Sequence, residues 1–190
     1  MNFLGYEGSI KLDGVEVSKV PREVLRSRIT ATAQENLTLP GTIRQNLMPW
    51  TLNDPKAEQP SPEFVDNVLE QTRMAEKVKA VGGLDEPMEK LGLSAGEKQM
   101  FSMARSMLSH KHRKSKLVVM DEATSNMDLE TDGQMQGVVK NAFKDSTVLM
   151  IAHRTETLAD ADVIYELDKG ELKKTEGDKS NEGDKSNKGE

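Results

Sequence analysis

The sequence predicts an α/β fold organised around a parallel sheet buried on both faces, and three features carry that expectation. Two near-continuous apolar runs, "LVVM" at 117–120 and "STVLMIA" at 146–152, have the β-branched character of interior strands. Stretches with apolar residues at three- and four-residue steps lie before and between them, so helices alternate with strands. A length of 190 residues allows one domain with a real core plus a tail, and disfavours two independent domains.

In chain order, "GSIKLDG" (8–14) alternates Ile10 and Leu12 with polar neighbours and ends in Asp-Gly, a short strand entering a turn. "RITATAQ" (28–34) is a second short strand. "TLNDPKAEQPSPE" (51–63) holds three prolines and few apolar residues, as a surface linker does. From Pro62 to about Val81, Phe64, Val65, Val68, Leu69, Met74, Ala75 and Val78 mark one amphipathic helix. A second helix starts near Ser94 and runs to about Ser109, with Met100, Met103, Ala104, Met107 and Leu108 on one face. "SHKHRKSK" (109–116) reads as a surface loop before the strand "LVVM". A helix from Asp128 to about Phe143 follows, then the strand at 146–152, then "DVIYELDKGEL" (162–172) as a closing hairpin. "EGDKSNEGDKSNKGE" repeats a charged and small-polar unit that buries too little apolar area to offset its ordering entropy, so 174–190 is expected to be a disordered tail.

Composition excludes several functions. A net charge of -6 argues against a protein that grips nucleic acid through a broad basic surface. The absence of cysteine removes disulfides and thiolate metal sites, and three histidines (His110, His112 and His153) leave little room for zinc. No apolar run is long enough to span a membrane, and "MNFLGYEGSI" lacks the pattern of a signal peptide.

Two stretches carry chemistry. "LVVMDEATSNMD" (117–128) sets Asp121 and Glu122 at the tip of a buried strand, where α/β sheets bind ligands. One carboxylate of such a pair can hold a hydrated Mg²⁺ while the other orients or deprotonates water, a division suited to phosphoryl transfer. On the pair alone, a turn cap at Asp121 beside a solvated Glu122 stays open. "LGLSAGEKQM" (91–100) places Ser94, Ala95, Gly96 and Glu97 at a helix start. Ser94 and Glu97 form a capping-box pattern, and the small residues leave backbone N–H groups free for a phosphate. An ordinary helix start fits those residues equally well.

In this order, "LGLSAGEKQ", a helix, "LVVMDEATSNMD" and "LMIAHR" resemble the signature motif, Walker B, D-loop and switch histidine of the ATP-binding cassette (ABC) ATPases, a P-loop NTPase-like fold, over roughly residues 1–173. The resemblance implies an ATPase domain with a helical subdomain at about 44–110, using ATP and Mg²⁺. Asp121 then holds Mg²⁺ through water, and Glu122 is the general base. His153 contacts the γ-phosphate and the attacking water, and Gln34 sits where the family's Q-loop glutamine reaches Mg²⁺ and that water. Ser94 to Glu97 meet ATP held by a second ABC domain paired head to tail, and Asp128 closes the D-loop (Ser125 to Asp128) that crosses to it. "GSIKLDGVEVSKVPREVLRSRIT", "LPGTIRQNLMPW" and "GGLDEPMEKLGLSAGEKQMFSMARSML" are similar to the second nucleotide-binding domain of subfamily C, multidrug resistance-associated transporters, particularly fungal ones.

One family element is missing. No G-x-x-x-x-G-K-[ST] run, the Walker A loop that cradles phosphates, occurs in the 190 residues. The resemblance therefore implies an N-terminally truncated domain that lacks its first strands, with little capacity for ATP in cis. The expected function is a piece of an exporter's ATPase, working beside a transmembrane domain on the cytoplasmic face of a membrane. The alternative is a non-catalytic module that docks on a complete ABC domain. A soluble ABC ATPase of translation or DNA repair fits less well, because "ITATAQENLTLPGTIRQNL" resembles a Q-loop that meets transmembrane coupling helices.

Overall fold

A computed structural model of the chain describes residues 7–32, 37–54, 56–121, 129–152, 158 and 161–176. The chain divides into two units, Met1–Ile151 and Ala152–Glu190.

The first unit opens with β1 (Lys11–Leu12) and β2 (Val15–Glu16), paired antiparallel across Asp13 and Gly14. Both turn residues are left-handed, at φ 49° and 78°, and Asp-Gly is the dipeptide that tolerates this best. After α1 (Arg22–Arg28), β3 (Ile29–Thr32) enters the main sheet. There β4 (Leu117–Asp121) lies between β3 and β5 (Thr147–Ile151), all parallel, with Ile29, Leu117 and Thr147 in register. The α/β expectation is met.

Burial on both faces is not met among the described residues. Thr30, Thr32, Val118 and Met120 share one face and are buried there, with Met150 packed against the same core. The opposite face carries Val119, Asp121, Leu149 and Ile151, and Leu149 and Ile151 are 56% and 51% exposed. The physical reason is position: β5 is an edge strand among the described residues, so its apolar run has neither an outer neighbour nor a described helix above it.

The covered face rests on α6 (Ala95–Arg113). Of the expected stripe, Met103, Ala104, Met107 and Leu108 are buried and Met100 is half-buried; Gln99, Phe101, Ser102, Ser106 and Ser109 are buried too, which makes α6 a central helix enclosed on nearly every side. Its small residues let β3 approach closely, and a hydroxyl pair, Thr32 Oγ1 to Ser106 Oγ at 2.8 Å, joins the two elements. The far side of α6 packs on α2 (Ile43–Leu47) and α4 (Pro62–Gln71). The helix α7 (Leu129–Ala142) adds Met135 and Val139 to the core, and Phe143 just beyond it adds a buried ring.

Two boundaries differ from the sequence expectation. The single helix expected over 62–81 is two, α4 and α5 (Ala75–Ala80). Arg73 adopts φ 56°, its N–H donates to Glu70 O, and the Met74 N–H donates to Leu69 O at 2.7 Å, a left-handed C-terminal cap built without glycine. The residues "HKHR" are the last turn of α6 and not a loop. Lys111 and Arg113 at the helix C-terminus interact favourably with its dipole, while burial lowers the His110 pKa and favours its neutral form. The turn is also docked: His112 stacks on Trp50 of α3 (Trp50–Asn53) at 4.4 Å and 5°, His110 meets Phe143 edge-on at 5.0 Å, and the Lys111 ammonium lies 5.4 Å from the Phe64 ring centre.

The second unit holds a hairpin of β6 (Val163–Asp168) and β7 (Glu171–Glu176), joined by Lys169 and Gly170 at φ 49° and 85°. β7 continues past Leu172 to Glu176, three residues into the segment expected to be a tail; residues 177–190 lie outside the described residues. No helix among the described residues is long and apolar enough to cross a membrane.

Candidate functional site

The start of α6 is built by reciprocal capping. Gly92, at φ 52°, turns the chain out of a short 3-10 turn (Met88–Leu91), and Ser94 follows in extended geometry. Ser94 Oγ accepts the Glu97 N–H at 3.3 Å, and Glu97 Oε2 accepts the Ser94 N–H at 2.8 Å. The other Glu97 oxygen pairs with Lys77 Nζ of α5 at 2.6 Å. The Lys77 ammonium first, and the Ser94 N–H second, hold the Glu97 carboxyl down to about 2, so it stays ionised while Lys77 balances its charge. Among the described residues no protein group accepts the N–H of Ala95 or Gly96, and Ser94 and Ala95 are exposed. Two free donors at the positive end of a 19-residue helix, with the nearest carboxylate already paired, suit an incoming phosphate oxygen.

Asp121 is the last residue of β4, opposite Ile151 and on the open face of the sheet, half-buried. Among the described residues no group of three or more His, Cys, Asp or Glu could hold a metal. A single carboxylate does fit Mg²⁺, which keeps several waters and binds through one or two carboxylates plus substrate phosphates. The other predicted positions, Gln34, Glu122, Asp128 and His153, lie outside the described residues.

Three contributors escape sequence reasoning. Lys77 is twenty residues from Glu97 and carries no local mark of its partner. Arg105, on α6, donates from Nε to Asn46 O at 2.6 Å and from Nη1 to Leu37 O at 2.8 Å, and burial lowers its pKa. Asn46 in turn ties Leu39 by both backbone groups, at 2.8 and 2.9 Å, and bonds Thr42 O at 3.0 Å. The segment that follows the Gln34 position is thereby fastened to α6. The same segment bonds the approach to Ser94: the Ile43 N–H donates to Glu86 O, the Met88 N–H to Gly41 O, and Arg44 grips Asp85 with two nitrogens at 2.7 and 3.1 Å.

The chain is similar to known proteins over most of its length. Residues 2–125 match the ABC transporter family. The ABC multidrug transporter B of Aspergillus fumigatus is 41% identical over 165 residues, covering 87% of this chain and 11% of that protein. ATP-binding cassette sub-family C member 8 of Homo sapiens is 37% identical over 170 residues, covering 88% of the chain and 10% of that protein. The chain thus spans about a tenth of the length of these relatives. A solved structure of a bacterial Atm1-family ABC exporter with ATP bound superposes with a TM-score of 0.76 at 27% identity, over 90% of this chain and 29% of that one.

Proposed function

This chain belongs to the ABC transporter family, and we propose that it forms the signature-bearing and carboxylate-bearing part of an exporter's Mg-ATP hydrolysing domain. The observation that carries the reading is the exposed, capped start of α6, with free N–H groups at Ala95 and Gly96 and a charge-balanced Glu97. Ser94, Ala95 and Gly96 cap the γ-phosphate of an ATP held by a second ABC domain paired head to tail, and Asp128 lies in the loop between them. Asp121 and Gln34 are the residues that would hold Mg²⁺, which would neutralise charge on the phosphates, while Glu122 would polarise the attacking water and His153 would contact the γ-phosphate.

The 190 residues hold no Walker A run, so the phosphate cradle for the Asp121 side comes from residues outside them. Residues 1–173 act as the ATPase portion, with 44–110 as its helical subdomain. They work on the cytoplasmic face of a membrane beside a transmembrane domain that selects the cargo.

The purified chain is expected to show no Mg-ATP turnover above a Glu122→Gln control. Mixed with a nucleotide-binding domain that has an intact Walker A loop, it is expected to associate only with Mg-ATP, and Gly96→Asp abolishes the association. Turnover by the chain alone, or association indifferent to ATP, refutes the reading.

A further inference from the structure

The parallel ladder gathers three chain segments where the strands begin, at the end of the sheet opposite Asp121. The Lys116 N–H donates to Arg28 O at 3.2 Å, and the Thr147 N–H donates to Lys116 O at 2.9 Å. Ser146 Oγ donates to Ser115 O at 2.8 Å, and Arg113 Nη1 reaches Ile29 O at 3.1 Å and Arg26 O at 3.4 Å. Arg26, Arg28, Arg113, Lys114, Lys116 and Lys144 therefore stand around one mouth, all exposed, with Asp145 the carboxylate among them. None of the six cations has an ion pair among the described residues. In a chain of net charge -6, this is a concentrated patch of opposite sign.

Helix dipoles account for Arg26 and Arg28 at the end of α1 and for Arg113 at the end of α6. Lys114, Lys116 and Lys144 lie beyond their helices and repel their neighbours at low salt. Three strands spaced about 4.8 Å apart make a mouth about 10 Å across. That width suits a single extended acidic chain rather than a duplex or a lipid surface. Val24 is the one exposed large apolar side chain on α1, too little to insert into lipid. The acidic remainder of the molecule repels a long polyanion.

We propose that this basic mouth docks an acidic peptide segment of a protein partner, independently of nucleotide. The test uses the full chain and a fluorescein-labelled peptide of about ten glutamates, read by anisotropy at about 50 mM salt. The triple variant Arg26→Gln, Lys116→Gln, Lys144→Gln is expected to weaken binding at least about tenfold. A charge-matched control, Lys11→Gln, Lys19→Gln, Lys173→Gln, is expected to change it less than about twofold. Equal loss in both triples, no binding by the unaltered chain, or tighter binding to phosphatidylserine vesicles or single-stranded DNA overturns the proposal. Should the triple variant unfold, carbodiimide coupling of the peptide to the unaltered chain decides: cross-links at Lys114, Lys116 and Lys144 support the mouth, and cross-links confined to other lysines overturn it.

Discussion

Replacing Lys77 by Met removes the ammonium 2.6 Å from Glu97 Oε1 while keeping most of the side-chain length and its apolar stem. In the intact protein Glu97 ionises at about 2 against an ordinary 4.5, because Lys77 and the Ser94 N–H both favour the anion. Taken whole, that difference amounts to about 3 kcal/mol. The two side chains are 31% and 33% exposed, so water screens most of it and about 1 kcal/mol is the expected worth of the contact. The sign follows from a lowered folded-state pKa: the stabilisation is fully present above about pH 5 and is lost as pH falls from 4.5 towards 2. Urea unfolding followed by the emission of Trp50, the sole tryptophan, measures it directly. The gap between the unaltered chain and Lys77→Met should be about 1 kcal/mol near pH 7 and less than half that near pH 2. A gap that stays constant between those pH values would mean that Lys77 contributes packing and not charge; no gap near pH 7 would remove it from the site altogether.

Arg105→Met leaves Leu37 O and the carbonyl of the buried Asn46 without their donor, and should destabilise the chain by about 1–3 kcal/mol while accelerating amide exchange at Leu39. A loss below about 0.5 kcal/mol would contradict that role. Arg73→Gly relieves a left-handed residue in the cap between α4 and α5 and should raise stability by about 1 kcal/mol, seen as a higher melting temperature. A lower melting temperature would show that the Arg73 side chain matters more than its backbone.

The parts of this molecule that periodicity could reveal were those whose cause is local. Asp-Gly and Lys-Gly announce the two hairpin turns, and Ser94 with Glu97 announces the start of α6. The break after α4 was hidden because arginine occupies a conformation usually given to glycine, and only the bonds to Glu70 and Leu69 make it work. The last turn of α6 was hidden because "HKHR" looks solvated until Trp50, Phe64 and Phe143 are seen beneath it. At the site, Ser94 to Glu97 and Asp121 could be named from motif order. Lys77 and Arg105 could not, since their partners lie 20, 59 and 68 residues away.

The open face of β5 has a consequence for anyone handling the chain in solution. Leu149 and Ile151 on that face lie beside the unpaired backbone groups of the β5 edge among the described residues, a surface on which another strand can zip. Self-association should therefore rise with concentration and be suppressed by a lysine or proline placed on that strand, so the concentration at which the free chain is stored and assayed is part of the experiment.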